Sequence, residues 1–336
     1  MKNINMRQWA ESIINGKNRV ALPIMTHPGI EIIGKRIIDA VTDGQTHYEA
    51  IIALNDRYPS AAATVIMDLT VEAEAFGCEI AFEEHGVPTV AKRLLSNTDD
   101  IENLQVPSLQ KGRIQEYIKA NRLAAEAIND KPLFSGMIGP YSLAGRLYDM
   151  SEIMLLIYID PAAAGKLLQK CTDFLIEYGK TLKATGANGI VLAEPAAGLL
   201  SNDDCMNYSS VYVKQIVEAL QDDQFAVVLH NCGNKGQCTQ AMLATGSIGY
   251  HFGNAIDMSE VIKEVPADVL VMGNLDPVGV FKMSTSDIVG QQTYTLLEKL
   301  ADYPNFMISS GCDTPPEVPF ANIEAFYNAV ERFNNR

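Results

Sequence analysis

No apolar run in this sequence is long enough to cross a bilayer. The longest candidate, Ile153 to Ile159, spans seven residues and is followed by Asp160-Pro161, whereas a spanning helix needs about 20. The opening Met1-Lys2-Asn3-Ile4-Asn5 lacks the apolar core of a secretory signal, so a cytoplasmic protein without membrane contact is expected. Positive charge is also scarce. Lys and Arg number 26 against 41 Asp and Glu, a net charge of -15, and no basic run offsets it. Such a surface repels phosphate backbones, which excludes nucleic acid as a partner. There is no Ser/Gly linker and no internal repeat, so residues 1–336 are expected to form a single domain. Six cysteines in a long intracellular chain argue against a disulfide scaffold and leave metal binding or catalysis as uses.

What is present is a repeated pattern. Asn5 is placed to cap an opening helix carrying Trp9, Ile13 and Ile14 on one face and ended by Asn15-Gly16. Eight short apolar runs follow: Val20–Met25, Ala62–Leu69, Leu133–Ile138, Gly189–Ala193, Phe225–Leu229, Ser247–Phe252, Val269–Met272 and Phe306–Ile308. Their apolarity is continuous rather than alternating, as in strands buried on both faces. Amphipathic segments separate them, with stops at Gly77 and Gly186. Phe82 to Pro88 reads as a hairpin or excursion. The fold class expected is α/β, a (β/α)8 TIM barrel with an N-terminal helical extension.

The chain's unusual polar residues collect where these runs end, the face on which barrels of this kind build active sites. His230-Asn231-Cys232-Gly233 follows the fifth run and Cys312 follows the eighth. Side chains alternate along a strand, so His230 and Cys232 point to one side and can grip one ion. A catalytic zinc takes three Cys, His or carboxylate ligands and keeps a fourth position open. His230, Cys232 and Cys312 are therefore the candidate ligands; the alternative is a core histidine and two inert thiols. Cys78, Cys171, Cys205 and Cys238 read as turn or helix residues without a role.

Around that set stand further candidates. Glu194 closes a strand, where a buried carboxylate must be paired or bound; it reads as a fourth ligand or substrate contact, or as a helix cap. Asp68 reads as a group orienting substrate, or as the N-cap of the segment Leu69–Phe76. His251 is a contact to metal or substrate, or a core histidine. His27 and Tyr141 are placed in loops lining the mouth, and Asn274 lies at another strand end.

Three blocks carry a resemblance: Gly139-Pro140-Tyr141-Ser142-Leu143, Glu194-Pro195-Ala196-Ala197-Gly198 and Gly273-Asn274-Leu275-Asp276-Pro277. They are similar to blocks of the uroporphyrinogen decarboxylase family, whose members are barrels, and the likeness covers essentially the whole chain. Decarboxylases of that family carry an arginine-rich segment after the first strand; here it reads Pro23-Ile24-Met25-Thr26-His27-Pro28-Gly29, without arginine. Their closing histidine-glycine motif is replaced by Gly311-Cys312-Asp313.

The chain more closely resembles the family's other branch, zinc-dependent methyltransferases acting between a methylated corrinoid and a thiol such as coenzyme M. Their H-x-C pattern with a distant Cys maps onto His230, Cys232 and Cys312. Cobalamin-independent methionine synthase has a similar barrel, with a carboxylate ligand where this chain offers His251. The resemblance implies zinc as cofactor, a methylcorrinoid as co-substrate presented by a separate corrinoid protein over the mouth, and a small thiol activated as a zinc thiolate. Arg146 is the candidate for the thiol's sulfonate or carboxylate, or else a surface salt bridge. A tetrapyrrole decarboxylase and a non-catalytic corrinoid- or zinc-binding protein are the alternatives, and a homodimer is left open.

Overall fold

The computed structural model describes residues 4–83 and 86–336. The runs become strands in chain order: β1 (Ala63–Thr64), a separate antiparallel hairpin of β2 (Glu79–Ala81) and β3 (Thr89–Lys92), then β4 (Leu133–Ile138), β5 (Gly189–Ala193), β6 (Ala226–Asn231), β7 (Gly249–Phe252), β8 (Leu270–Leu275) and β9 (Phe306–Ser310). All but the hairpin pair in parallel as one seven-stranded curled sheet, β1-β4-β5-β6-β7-β8-β9. Every residue of β5, β6 and β9 is buried, which explains the continuous apolarity. The expected hairpin exists, although Glu84 and His85 within it, and Met1 to Asn3 of the opening, lie outside the described residues.

Among the described residues seven strands pair in this sheet, where eight were expected. Val20–Met25 contributes only an isolated parallel bridge, Ala21 to Ile308, with Leu22 N–H donating to Ile308 O at 3.0 Å and Ala61 N–H to Ala21 O at 2.9 Å. Pro23 has no N–H to carry that ladder onward. The second run pairs over two residues only. Beyond them, the Ile66 N–H donates 3.0 Å to the His47 Nε2, a side chain standing where a strand partner would.

Asn5 caps the first helix, Met6–Ile14, accepting from the Gln8 N–H at 2.9 Å. That helix closes one end of the sheet's interior. Met6, Ala10 and Ile13 pack with Leu22, Ile24, Phe134, Val191, Val228, Met272 and Met307 in one apolar cluster, against which Trp9 and Ile14 rest. On the sheet's outer face pack the helix that begins at Pro140 and the long helix Pro161–Ala184. Gly77 and Gly186 terminate helices at φ 114° and 99°, the left-handed conformation that favours glycine. Among the described residues, no helix is long and apolar enough to cross a membrane.

Candidate metal centre

Alternation carries the chemistry to the open end of the interior. Val228 faces inward within the apolar cluster, so His230, two residues on in β6, faces inward one layer above it. Register sets Ala193 on one side of His230 and His251 on the other. The fifth run thus extends two residues further than its apolar letters indicate, and His230 stands inside the strand rather than in a loop.

His230, Cys232 and Cys312 each offer a ligand atom, and the three atoms lie within 4.8 Å of one another. The Cys312 Sγ is 3.5 Å from His230 Nε2. Each ligand is held by its own backbone device. The Asn231 Oδ1 accepts from the Gly233 and Asn234 N–H groups at 3.1 and 3.0 Å, folding the chain sharply after Cys232. Gly233 is pressed on Gly198, whose missing Cβ leaves room for that turn. On the Cys312 side, the Gly311 N–H donates to Leu275 O at 2.6 Å and the Thr314 N–H to Ile24 O at 3.0 Å. The Asp313 carboxylate accepts from the Thr26 N–H and hydroxyl at 3.2 and 2.8 Å.

The donor set suits zinc: two sulfurs and one imidazole nitrogen, the kind of three-ligand set a catalytic site uses. The thiols also sense each other. The hydrogen bond between them draws Cys232 below the ordinary thiol range and pushes Cys312 above it.

Both protein groups considered for a fourth ligand are engaged elsewhere. The Glu194 carboxylate accepts from the Tyr141 N–H at 3.0 Å and the Ser142 N–H at 2.6 Å. Those are first-turn amides of the helix Pro140–Tyr148, so Glu194 is a cap supplied across the fold. Burial pushes its carboxyl up to about 7. His251 bonds through Nδ1 to His230 Nδ1 at 2.8 Å and through Nε2 to the Ser309 hydroxyl at 2.7 Å. Burial first, and the neighbouring His230 second, hold it well below the ordinary histidine range.

The comparisons with known proteins agree with this architecture. The family model described as "Uroporphyrinogen decarboxylase (URO-D)" matches residues 19–333. The chain belongs to the uroporphyrinogen decarboxylase family. Among curated relatives, the methylcobamide:CoM methyltransferase MtbA of Methanosarcina acetivorans is 30% identical over 81% of this chain and 80% of its own length. A uroporphyrinogen decarboxylase of Serratia proteamaculans is 25% identical over 82% of this chain and 79% of its own. A solved methyltransferase from Methanosarcina mazei superposes with TM-score 0.87 at 21% identity, covering 98% of this chain and 99% of that one. A B12-independent methionine synthase from Shewanella gives 0.58 at 15% identity, over 87% of each chain. These two likenesses concern the fold.

Other expected site residues are placed differently from the sequence reading. His27 and Tyr141 are not in loops. His27 opens the helix His27–Ile32, buried, with Nδ1 2.9 Å from Thr314 O. Tyr141 is the second residue of its helix, fully buried, its hydroxyl without a hydrogen-bond partner among the described residues. Both helices carry proline in the first turn, a position it favours. The Asn274 side-chain N–H groups donate to Gly253 O and Ile256 O at 2.9 and 2.8 Å, which braces the loop after β7. Asp68 does not cap directly. It accepts from the Thr70 N–H and hydroxyl and pairs with the buried Arg113 at 2.5 Å, which also bonds Glu74 at 2.6 Å. Arg146 has no ion pair among the described residues and is no surface salt bridge. Burial draws it down from the ordinary arginine range while Asp68 and Glu72 pull the other way.

Three contributors were missed in the sequence. Arg113 sits in an unremarkable loop. Ser309 extends the apolar run Phe306–Ile308 as an inward-facing small polar residue, a signal alternation could have supplied. Glu72 is fully buried in the six-residue helix Val71–Phe76, too short for a periodic reading. Its Oε1 accepts from the Ile138 N–H at 3.1 Å and its Oε2 has no partner among the described residues.

Proposed function

We propose that this protein is a methyltransferase that moves a methyl group from a methylated corrinoid to a small thiol, with zinc held by His230, Cys232 and Cys312. The observation that carries the reading is the meeting of those three donors within 4.8 Å, in a chain 30% identical to a methylcobamide:CoM methyltransferase over 81% of its length. Bound there, zinc supplies the Lewis acidity that keeps a substrate thiol deprotonated at neutral pH, where a free thiol, with a pKa of about 8.5, is mostly protonated. The two cysteines carry the negative charge that balances the ion. Glu194 and His251 leave the remaining position to substrate, because their polar atoms are already bonded. In the transfer itself a sulfur–carbon bond forms, the cobalt–carbon bond breaks with its electron pair left on cobalt, and the thiol proton goes to solvent.

Arg146 is assigned to the thiol's acidic group. Its charge is largely shielded from water and has no ion-pair partner among the described residues. Asp68 acts at one remove, as the buried partner of Arg113, and Tyr141, His27 and Asn274 shape the walls. The corrinoid, too large for the filled interior, is presented at the mouth by a separate corrinoid protein. The reading includes a single cytoplasmic domain whose sheet closes as a (β/α)8 barrel through residues 20–22, which the Leu22 to Ile308 and Ala61 to Ala21 hydrogen bonds support.

The test is metal analysis together with methyl transfer from methylcobalamin to coenzyme M and to homocysteine. About one zinc per chain is expected, with metal and transfer both lost in His230→Ala and Cys312→Ser. A protein that takes up no zinc, or transfers methyl groups equally well in both variants, overturns the reading.

A further inference from the structure

The partner chosen by His230 is unusual. A metal-ligating histidine commonly gives its second N–H to a carboxylate, a backbone carbonyl or water. Here the atom 2.8 Å from His230 Nδ1 is another imidazole nitrogen, Nδ1 of His251. The two rings meet nearly edge to face, 73° apart, and each residue is 1% exposed, so water offers no alternative partner.

Two nitrogens that close share one hydrogen, and its position decides what His230 can do. With the hydrogen on His251 Nδ1, His230 Nδ1 is an acceptor. A neutral His230 then carries its own hydrogen on Nε2, which blocks the lone pair facing Cys312. With the hydrogen on His230 Nδ1, the Nε2 lone pair is free toward the two thiols. His251 then accepts at Nδ1 and carries its hydrogen on Nε2, where the Ser309 hydroxyl stands 2.7 Å away to receive it. The arrangement spans β6, β7 and β9, so the sheet's own register fixes it.

Resting on the metal centre argued above, we propose that His251 is a positioning residue which, anchored by Ser309, locks His230 in the Nδ1–H tautomer and so keeps Nε2 open for the ion. It follows that His251 neither ligates the metal nor touches substrate.

Two measurements test this. In metal-free protein labelled with 15N-histidine, long-range proton–nitrogen correlation should find the hydrogen of His230 on Nδ1 and that of His251 on Nε2; the reverse assignment on both rings overturns the inference. Zinc affinity measured by chelator competition should then fall about 10–100-fold in His251→Leu. It should largely recover in His251→Asn, whose amide oxygen can accept where Nδ1 does. Ser309→Ala keeps both rings and removes only the anchor, so it serves if His251→Leu does not fold; it should bind zinc measurably more weakly than the native protein. Native affinity in His251→Leu, or in Ser309→Ala where that variant stands in, refutes the tautomer lock alone. A native protein that binds no zinc refutes the metal centre, and the lock with it.

Discussion

The two ends of the same strands are built on opposite principles. At the end closed by the helix Met6–Ile14, the interior holds Phe134, Val228, Met272 and Met307 in one apolar cluster. Two residues further along β6 and β9, the same inward face carries His230 and Ser309. The apolar end is held by non-directional contact, so its energy is spread over many atoms and follows the area removed from water. At the polar end His230, His251 and Ser309 have specified partners, and the loss of one leaves another unpaired in a place water does not reach. Division of this kind puts stability at the bottom of a barrel and chemistry at its top.

The sharpest way to separate the ends is to damage the apolar one. Phe134 is fully buried and its ring lies 5.7 Å from that of Trp9. Phe134→Ala should cost about 3–5 kcal/mol, read by denaturant unfolding, while zinc stoichiometry at saturating metal stays as in the native protein. Loss of zinc from the folded fraction of this variant would mean that the ends are energetically one unit.

Glu72 tests whether an unsatisfied group at the polar end carries a cost. Burial pushes its carboxyl up to about 7, above the ordinary value near 4.3 in an unfolded chain. Between roughly pH 4.5 and 7 the folded state therefore holds a proton that the unfolded state has released, so this group's contribution to stability falls as pH rises and levels off above its folded pKa. The loss is on the order of 3–4 kcal/mol. Glu72→Gln, neutral throughout, should show a flatter stability profile over that window. An identical slope in the variant would assign the pH dependence elsewhere.

The contrast also explains what could be read in the sequence. His230, Cys232 and Cys312 were legible because alternation and strand ends are properties of a single strand, and one-dimensional spacing encodes them. His251 was legible as a residue and not as a partner, since its bond to His230 depends on the register between β6 and β7, which spacing does not carry. Glu194 was left between ligand and cap because the amides it caps belong to a helix more than fifty residues earlier. His27 and Tyr141 were expected in loops at the mouth, whereas each stands in the first turn of a helix beside Pro28 or Pro140. The first run looked like a strand, but Pro23 and the sheet's local geometry leave it a single bridge.

The smallest effect probes the joint between the two principles. Asn5 is a polar device at the apolar end: its side-chain oxygen accepts from the Gln8 N–H at 2.9 Å and starts the helix that closes the interior. An exposed cap of this type is worth about 1 kcal/mol. Asn5→Ala should therefore lower stability by about that amount, and Asn5→Asp, which keeps the acceptor, should not. Because the Met6 N–H also donates to Asp223 O at 2.7 Å, the helix stays anchored to the sheet when its cap is lost. The loss should then appear as faster amide exchange within the first turn of Met6–Ile14 and leave the inward faces of β4 and β6 protected. Exchange that spread into those strands would show the helix to be a structural part of the sheet's interior rather than a lid resting on it, and would make the apolar end depend on a directional contact as the polar end does.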